Sequence, residues 1–462
     1  MFTLQNVLKN FGLIVGAVLV NKIGAPGNLI CYSVLLWMAS QSSAGAMKAL
    51  SLSALTTASN PALVSMTFVV AILRFVLIFV AAARIFADMS NHRRSPFSIS
   101  YINALLLFSA VAGCMSFINN YFLFVSLLKL LSFTVGVFAI LSGAEILRMR
   151  NSDLTAWFYA ICLYLVVAGF AALALGFGWG VEFSLYGGSE EFLFKGALFH
   201  SQTLGAIGSL VVCYLFCIWL YTSYALKTLT FLLIIGLTYQ IYLTSSRTGI
   251  ASLVLTCGIA LSFSFFMRKG RRVVRFAISK AKVLGLSVVG LVTAIIVEVA
   301  SGGITSRITS ILLKRSTEAL SIETVLSSRE SVYDQIWANF MFSPWTGIGF
   351  GTSTDPWFVA NANLFSAPTE KGLLPLAVLE ENGIIGGFFF YIFVGVFLWR
   401  LLREANISGF CMLIVFLFCN LGEMIFFSLG GIGVFAWVLV GAGISLGDRC
   451  VIRRPGIPQR VI

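Results

Sequence analysis

The run TLTFLLIIGLTYQIYLTSSRTGIASLVLTCGIALSFSFF, residues 228–266, decides the fold. Apolar residues fill it on both sides of one polar turn, Thr244-Ser245-Ser246-Arg247-Thr248-Gly249. Each flank approaches the roughly 20 residues that carry a helix across the hydrocarbon core. In lipid the backbone must satisfy its own polar groups, and a helix does so within one segment. The stretch therefore reads as two membrane helices joined at the surface, with Arg247 in the first turn of the second.

The same alternation extends in both directions. Apolar runs predict crossings near 62–84, 98–117, 121–142, 155–178, 203–221, 249–267, 282–300, 373–399, 408–427 and 431–447, besides 228–243. Residues 11–40 hold either one broken crossing or a short hairpin, interrupted between Asn21 and Gly27. One crossing there gives about 12 helices. The expectation is an all-α polytopic membrane protein: a helical bundle over 1–300, a long outer loop over 301–372, further crossings over 373–447 and a tail over 448–462. Hydrophobic residues make up 59% of 462 and charged ones 11%, which excludes an ordinary soluble domain.

Basic residues orient the chain. They crowd into alternate loops: Arg84, Arg93 and Arg94; Arg148 and Arg150; Arg268 to Lys282; Arg400 and Arg403; and the tail. Those loops are predicted to be cytoplasmic, with both chain ends inside, and most acids fall in the loops between. The net charge of +13 is thus a topology signal and an attraction to anionic lipid rather than a nucleic-acid surface. Eight of the nine cysteines sit in apolar segments and imply no disulfide framework. Cys213 and Cys217 share a helix face as packing residues. No metal-ligand spacing, Walker or Ser-His-Asp pattern occurs.

The outer loop 301–372 contains one legible helix. Ser327-Ser328-Arg329-Glu330 is a capping box, and Tyr333, Ile336, Trp337, Phe340 and Met341 follow at helical spacing until Pro344. This amphipathic helix is expected on the membrane surface. Pro344-Trp345-Thr346-Gly347-Ile348-Gly349-Phe350-Gly351 then forms a glycine-rich turn, read first as tight turning and second as a phosphate cradle.

A cation in the first turn of a helix opposes the dipole, whose N-terminal end is already positive. Arg247 makes sense there if an anion lies between guanidinium and free N–H groups. Arg329 repeats the placement, with i, i+4 pairing as the plainer alternative. Arg74 and Lys129 are placed near the middle of their crossings and Glu423 toward the outer end of its own. They either pair or snorkel, or they line a headgroup cavity. His200 is one of two histidines; its alternatives are a structural and a catalytic role.

At these residues the chain resembles the O-antigen ligase and Wzy-type polymerase superfamily of bacterial envelope glycosyltransferases. Gly196 to Gly205, with His200 and Gln202, is similar to its outer segment before a membrane helix. Thr244 to Gly249 resembles its Ser-Arg-Gly-type turn. Arg329, Trp337, Pro344 and Gly347-Ile348-Gly349 resemble its loop string, and Leu379 to Gly386 its Glu-x-Gly-x-x-Gly stretch. The resemblance implies metal-independent, inverting transfer of an undecaprenyl-pyrophosphate-linked glycan at the periplasmic face of the inner membrane, without a cofactor. Arg247 and Arg329 would hold the pyrophosphate, with Lys371, Arg74, Lys129 and Gln202 also on substrate. Many members carry a His-Asn pair where this chain has Pro368-Thr369-Glu370-Lys371-Gly372. The base would then be Glu370 or His200, while Glu381 would simply start a helix. The acceptor is a glycan or glycolipid, and membrane lipid and other polysaccharide-assembly proteins are the expected partners. A polymerase is expected ahead of a ligase that joins the glycan to lipid A core. A flippase for the same glycan is the contrasting class, and would use Arg74, Lys129 and Glu423.

Overall fold

In the computed structural model, residues 3–65, 67–91, 99–119, 122–150, 154–183, 190–221, 224–266, 330–353, 373–428 and 431–446 are described. Among them are fourteen helices: α1 (Leu4–Asn21), α2 (Ala25–Gln41), α3 (Ser43–Ala58), α4 (Phe68–Asn91), α5 (Ser100–Asn119), α6 (Leu123–Met149), α7 (Thr155–Ala174), α8 (Ser201–Tyr221), α9 (Tyr224–Leu243), α10 (Arg247–Phe266), α11 (Glu330–Phe342), α12 (Leu374–Arg403), α13 (Ile407–Cys419) and α14 (Ile432–Leu446). Eight of these are long and apolar enough to cross a membrane. The protein is a multi-pass helical membrane protein. The predicted crossing 282–300, loop residues 301–329 (with the Ser327 cap) and 354–372, and the tail lie outside the described residues.

The N-terminal region resolves as a hairpin, because Gly24, at φ 87°, and Pro26 end α1 and start α2. A further helix, α3, was not expected. Its sequence SAGAMKALSLSALTTA is small and polar, yet twelve of its sixteen residues are buried. Packed inside other helices, it needs no lipid-facing apolar surface. α4 starts six residues later than expected, after a turn at Asn60-Pro61. The all-α expectation also needs a correction outside the bundle: β1 (Trp179–Phe183) and β2 (Glu190–Phe194) form an antiparallel hairpin, Trp179 opposite Phe194. Trp179 stacks on Phe192 at 5.7 Å, an aromatic pairing that supports so short a ribbon.

The two ends of the bundle differ. One end gathers four arginines, from α4, α6 and its C-cap, and α12, around three carboxylates. Asp88 accepts the N–H and hydroxyl of Ser43 at 3.1 and 2.6 Å, and its carboxylate pairs with Arg84 at 2.9 Å and Arg150 at 3.5 Å. Arg148 pairs with Glu145 at 3.0 Å and with Glu404, which Arg400 also holds at 2.8 Å. The Tyr101 hydroxyl donates to Glu145. This basic end locks α3, α4, α5, α6 and α12 in register.

Toward the opposite, far end the core is aromatic. Phe133, Phe350, Phe426, Phe427 and Trp437 pack with centroids 4.8–6.5 Å apart. Such pairs add about 0.5–1.5 kcal/mol each beyond simple contact, which matters where lipid supplies no hydrophobic drive between helices.

Candidate functional site

At the far end two helices begin side by side. Ser246 Oγ accepts the Gly249 N–H at 3.1 Å and so caps α10, whose first residue is Arg247. Ser245 adopts φ 55°, and Thr244 Oγ1 accepts the Ser246 N–H at 3.1 Å, closing the reversal after α9. His200 serves α8 in the same way, its Nδ1 accepting the Gln202 N–H at 3.3 Å. The helices touch where Gly205 meets Gly249; a Cβ on Gly249 would stand 2.8 Å from the Gly205 Cα. Ser209 Oγ lies 2.6 Å from the Gly205 carbonyl and 2.9 Å from that of Gly249, holding the crossing. On its other side Thr248 packs against Gly422, where a Cβ would fall 1.9 Å from Thr248 Oγ1.

Arg247, half-buried, therefore stands beside the positive ends of both α8 and α10. Two helix starts and a guanidinium on one spot form a place that favours an anion. The neighbouring segment 420–428 is not helical, although it lies in the predicted crossing 408–427. Asn420 ends α13: its Oδ1 accepts the Ile425 and Phe426 N–H groups at 2.8 and 2.7 Å, and its carbonyl accepts the Leu374 N–H at 2.9 Å. Glu423 sits in this irregular segment, buried, rather than within a crossing helix.

The second part of the far end is a broken helix with a turn docked into the break. α12 is interrupted at Gly383, at φ 63° and ψ −170°. The break takes Glu380 O, Glu381 O, Ile384 N and Ile385 N out of the helical pattern. The glycine-rich turn pairs with all four. Ile348 N–H donates to Glu380 O at 2.9 Å and Gly349 N–H to Glu381 O at 3.0 Å. In return Ile384 N–H donates to Pro344 O at 2.8 Å and Ile385 N–H to Trp345 O at 3.3 Å. Contact is so close that a Cβ on Gly383 would lie 2.3 Å from Trp345 O, and one on Gly347 2.5 Å from Glu381 O. Non-helical backbone at this depth survives only when paired inside protein. The glycines thus serve backbone-to-backbone docking.

Side chains fasten the joint. Glu381 carboxylate accepts the Gly351 N–H at 2.8 Å, Lys129 Nζ donates to Gly351 O at 3.0 Å, and Asn339 donates to Glu380 at 2.7 Å. Ser116 Oγ accepts the Phe350 N–H at 3.3 Å while the Phe350 ring enters the aromatic core, 4.9 Å from Phe427. α11 ends at Phe342, just before Pro344, with Ile336 buried and Trp337, Met341 and Phe342 on the surface.

The expected site residues divide among several neighbourhoods. Arg247 and Gln202 share the paired helix starts. Lys129 is bound into the docked turn, and Arg74 is buried on α4 beside Phe75. Neither is at the middle of its helix: each is the seventh residue, counted from the far end. His200 acts as a helix cap, so the Nδ1 lone pair a base would use already accepts a hydrogen bond. Glu381 does not start a helix; it binds the turn. Arg329, Glu370 and Lys371 lie outside the described residues. Sequence reading missed Asn420 and Glu380, whose partners are set by tertiary contacts; the polar-glycine interruption Asn420-Leu421-Gly422-Glu423 was the available signal.

No known protein-family model matches the chain, and no curated protein matches it.

Proposed function

We propose that the protein transfers a glycan from undecaprenyl pyrophosphate to a sugar hydroxyl at the outer face of a bacterial inner membrane, as an O-antigen or exopolysaccharide polymerase. The observation that carries this reading is Arg247 at the joined starts of α8 and α10, half-buried and at the end opposite the basic loops. A pyrophosphate there would meet a fixed cation and two positive helix ends. In the transfer, the acceptor oxygen attacks the anomeric carbon, and the bond from that carbon to the phosphate oxygen breaks. The electron pair leaves with the pyrophosphate, where Arg247 and Arg329 stabilise the growing charge. The hydroxyl proton passes to a carboxylate, Glu370 in this reading, and attack from the opposite face inverts the sugar. Preorganised charge of this kind contributes about 3–4 kcal/mol per group in the transition state.

The test uses purified protein in vesicles supplied with a lipid-linked repeat unit, without nucleotide or ion gradient. Wild type should lengthen the glycan on its carrier. Arg247→Ala should lower the rate by about 10²–10³-fold while eluting as a folded protein, and Arg247→Lys should recover part of it. Full activity in Arg247→Ala, or movement of unchanged lipid-linked glycan across the bilayer in place of lengthening, sinks the reading.

A further inference from the structure

Arg74 is a buried charged residue that the site above does not use. It is 8% exposed, and among the described residues no carboxylate or hydrogen-bond acceptor meets it; its Nε is fully enclosed. The neighbouring α2 carries the fully buried Tyr32, one turn beyond Asn28, which bonds Thr67 before the start of α4. Phe75 lies 5.6 Å from the guanidinium carbon, a contact worth about 0.5–2 kcal/mol. An unpaired buried charge costs several kcal/mol. The ring alone does not balance that cost, which a counter-anion at the guanidinium would offset.

The surroundings indicate which anion. Tyr32 hydroxyl is 2.9 Å from Ser53 Oγ, and Thr57 Oγ1 donates to Ser53 O at 2.7 Å, so hydroxyls of α2 and α3 gather around Tyr32. One turn nearer the far end, Asn28 donates to Ser65 O at 3.0 Å and to Thr67 Oγ1 at 3.1 Å, fixing the start of α4 against α2. The seam between α2 and α4 is bordered on the bundle surface by exposed Ile30, Val34, Ile72 and Val76. Arg74 lies two turns in from the far end, roughly 9 Å at 1.5 Å per residue, within reach of the headgroup level for a ligand entering from the side. Apolar borders with one cation set behind them fit a molecule with long chains and a phosphate.

We infer that Arg74 and Tyr32 hold the phosphate of an anionic lipid whose chains lie along the α2–α4 seam, on elements other than those that present Arg247. The inference stands without the glycosyl-transfer reading, and its test reads binding rather than turnover.

Full-length protein, delipidated in detergent, is titrated with phosphatidylglycerol, with phosphatidylcholine and with inorganic phosphate, and bound lipid and Tm are measured. Wild type should retain at least one more phosphatidylglycerol than Arg74→Met and gain Tm with that lipid, which phosphatidylcholine should not reproduce. Arg74→Lys should bind at an intermediate level, and Tyr32→Phe severalfold more weakly than wild type. Equal phosphatidylglycerol retention and equal Tm gain in wild type and Arg74→Met overturn the site. Saturation by millimolar inorganic phosphate that displaces no lipid overturns the lipid assignment in favour of a free anion. If Arg74→Met does not fold, unchanged retention in both Arg74→Lys and Tyr32→Phe overturns it equally.

Discussion

The basic end and the far end of this bundle are held together by opposite means. At the basic end the helices run unbroken, and side chains join them, Asp88, Glu145 and Glu404 each meeting at least one arginine. At the far end the backbone itself is opened: α12 breaks at Gly383, α13 gives way to 420–428, and helix starts face one another at Gly205 and Gly249. Charge pairs between regular helices make a clamp. Exposed peptide groups and helix ends make a surface that can bind. A membrane protein tolerates the second only where each loosened peptide group finds a partner, and the docked turn meets that condition at α12.

Three substitutions would break or sharpen this contrast. The largest effect is expected from Gly383→Ala, which places a Cβ 2.3 Å from the Trp345 backbone and a side chain at φ 63°. Backbone strain and overpacking together predict a loss of about 4 kcal/mol, seen as a lowered unfolding temperature and loss of a monodisperse peak in detergent. Unchanged stability would mean that the break is not held as described. Asp88→Ala should cost about 3 kcal/mol, since it strips Arg84, Arg150 and the first turn of α3 of their common partner. Activity per folded molecule should remain, because the clamp only holds the far end in place. Smallest is His200→Asn, which keeps a capping oxygen for α8. Activity should fall less than about 5-fold, equivalent to a cap change under 1 kcal/mol; a loss of a hundredfold or more would restore His200 as the base.

Much of the bundle was legible because membrane crossings write themselves in apolar runs. The two helices flanking Arg247 appear within a few residues of their predicted limits, and Arg247 falls in the first turn of the second, as its place after the polar turn implied. α3 was invisible for a physical reason: Ser51 and Ser53, with Gly45, Ala46 and Ala49, suit helix-to-helix contact and carry no lipid signature. Segment 420–428 was hidden in the reverse sense, since Met424, Ile425, Phe426 and Phe427 look like a continued crossing, yet Asn420 captures the amide groups of Ile425 and Phe426. The candidate site was half-readable. A cation at a helix start is a local fact, whereas the pairing of Gly347 with Gly383 joins strings more than thirty residues apart and needs the folded chain.

The position of Gly383 has a further consequence for depth. The part of α12 after it, Ile384 to Arg403, is long enough by itself to match a hydrocarbon thickness of roughly 30 Å. The stub before it, with Glu380 and Glu381, is therefore surplus to a span of that length. Its two enclosed acids are sheltered by protein, Glu380 by Asn339 and Glu381 by the Gly351 amide. A bilayer thick enough to draw the stub inward would strain this joint first.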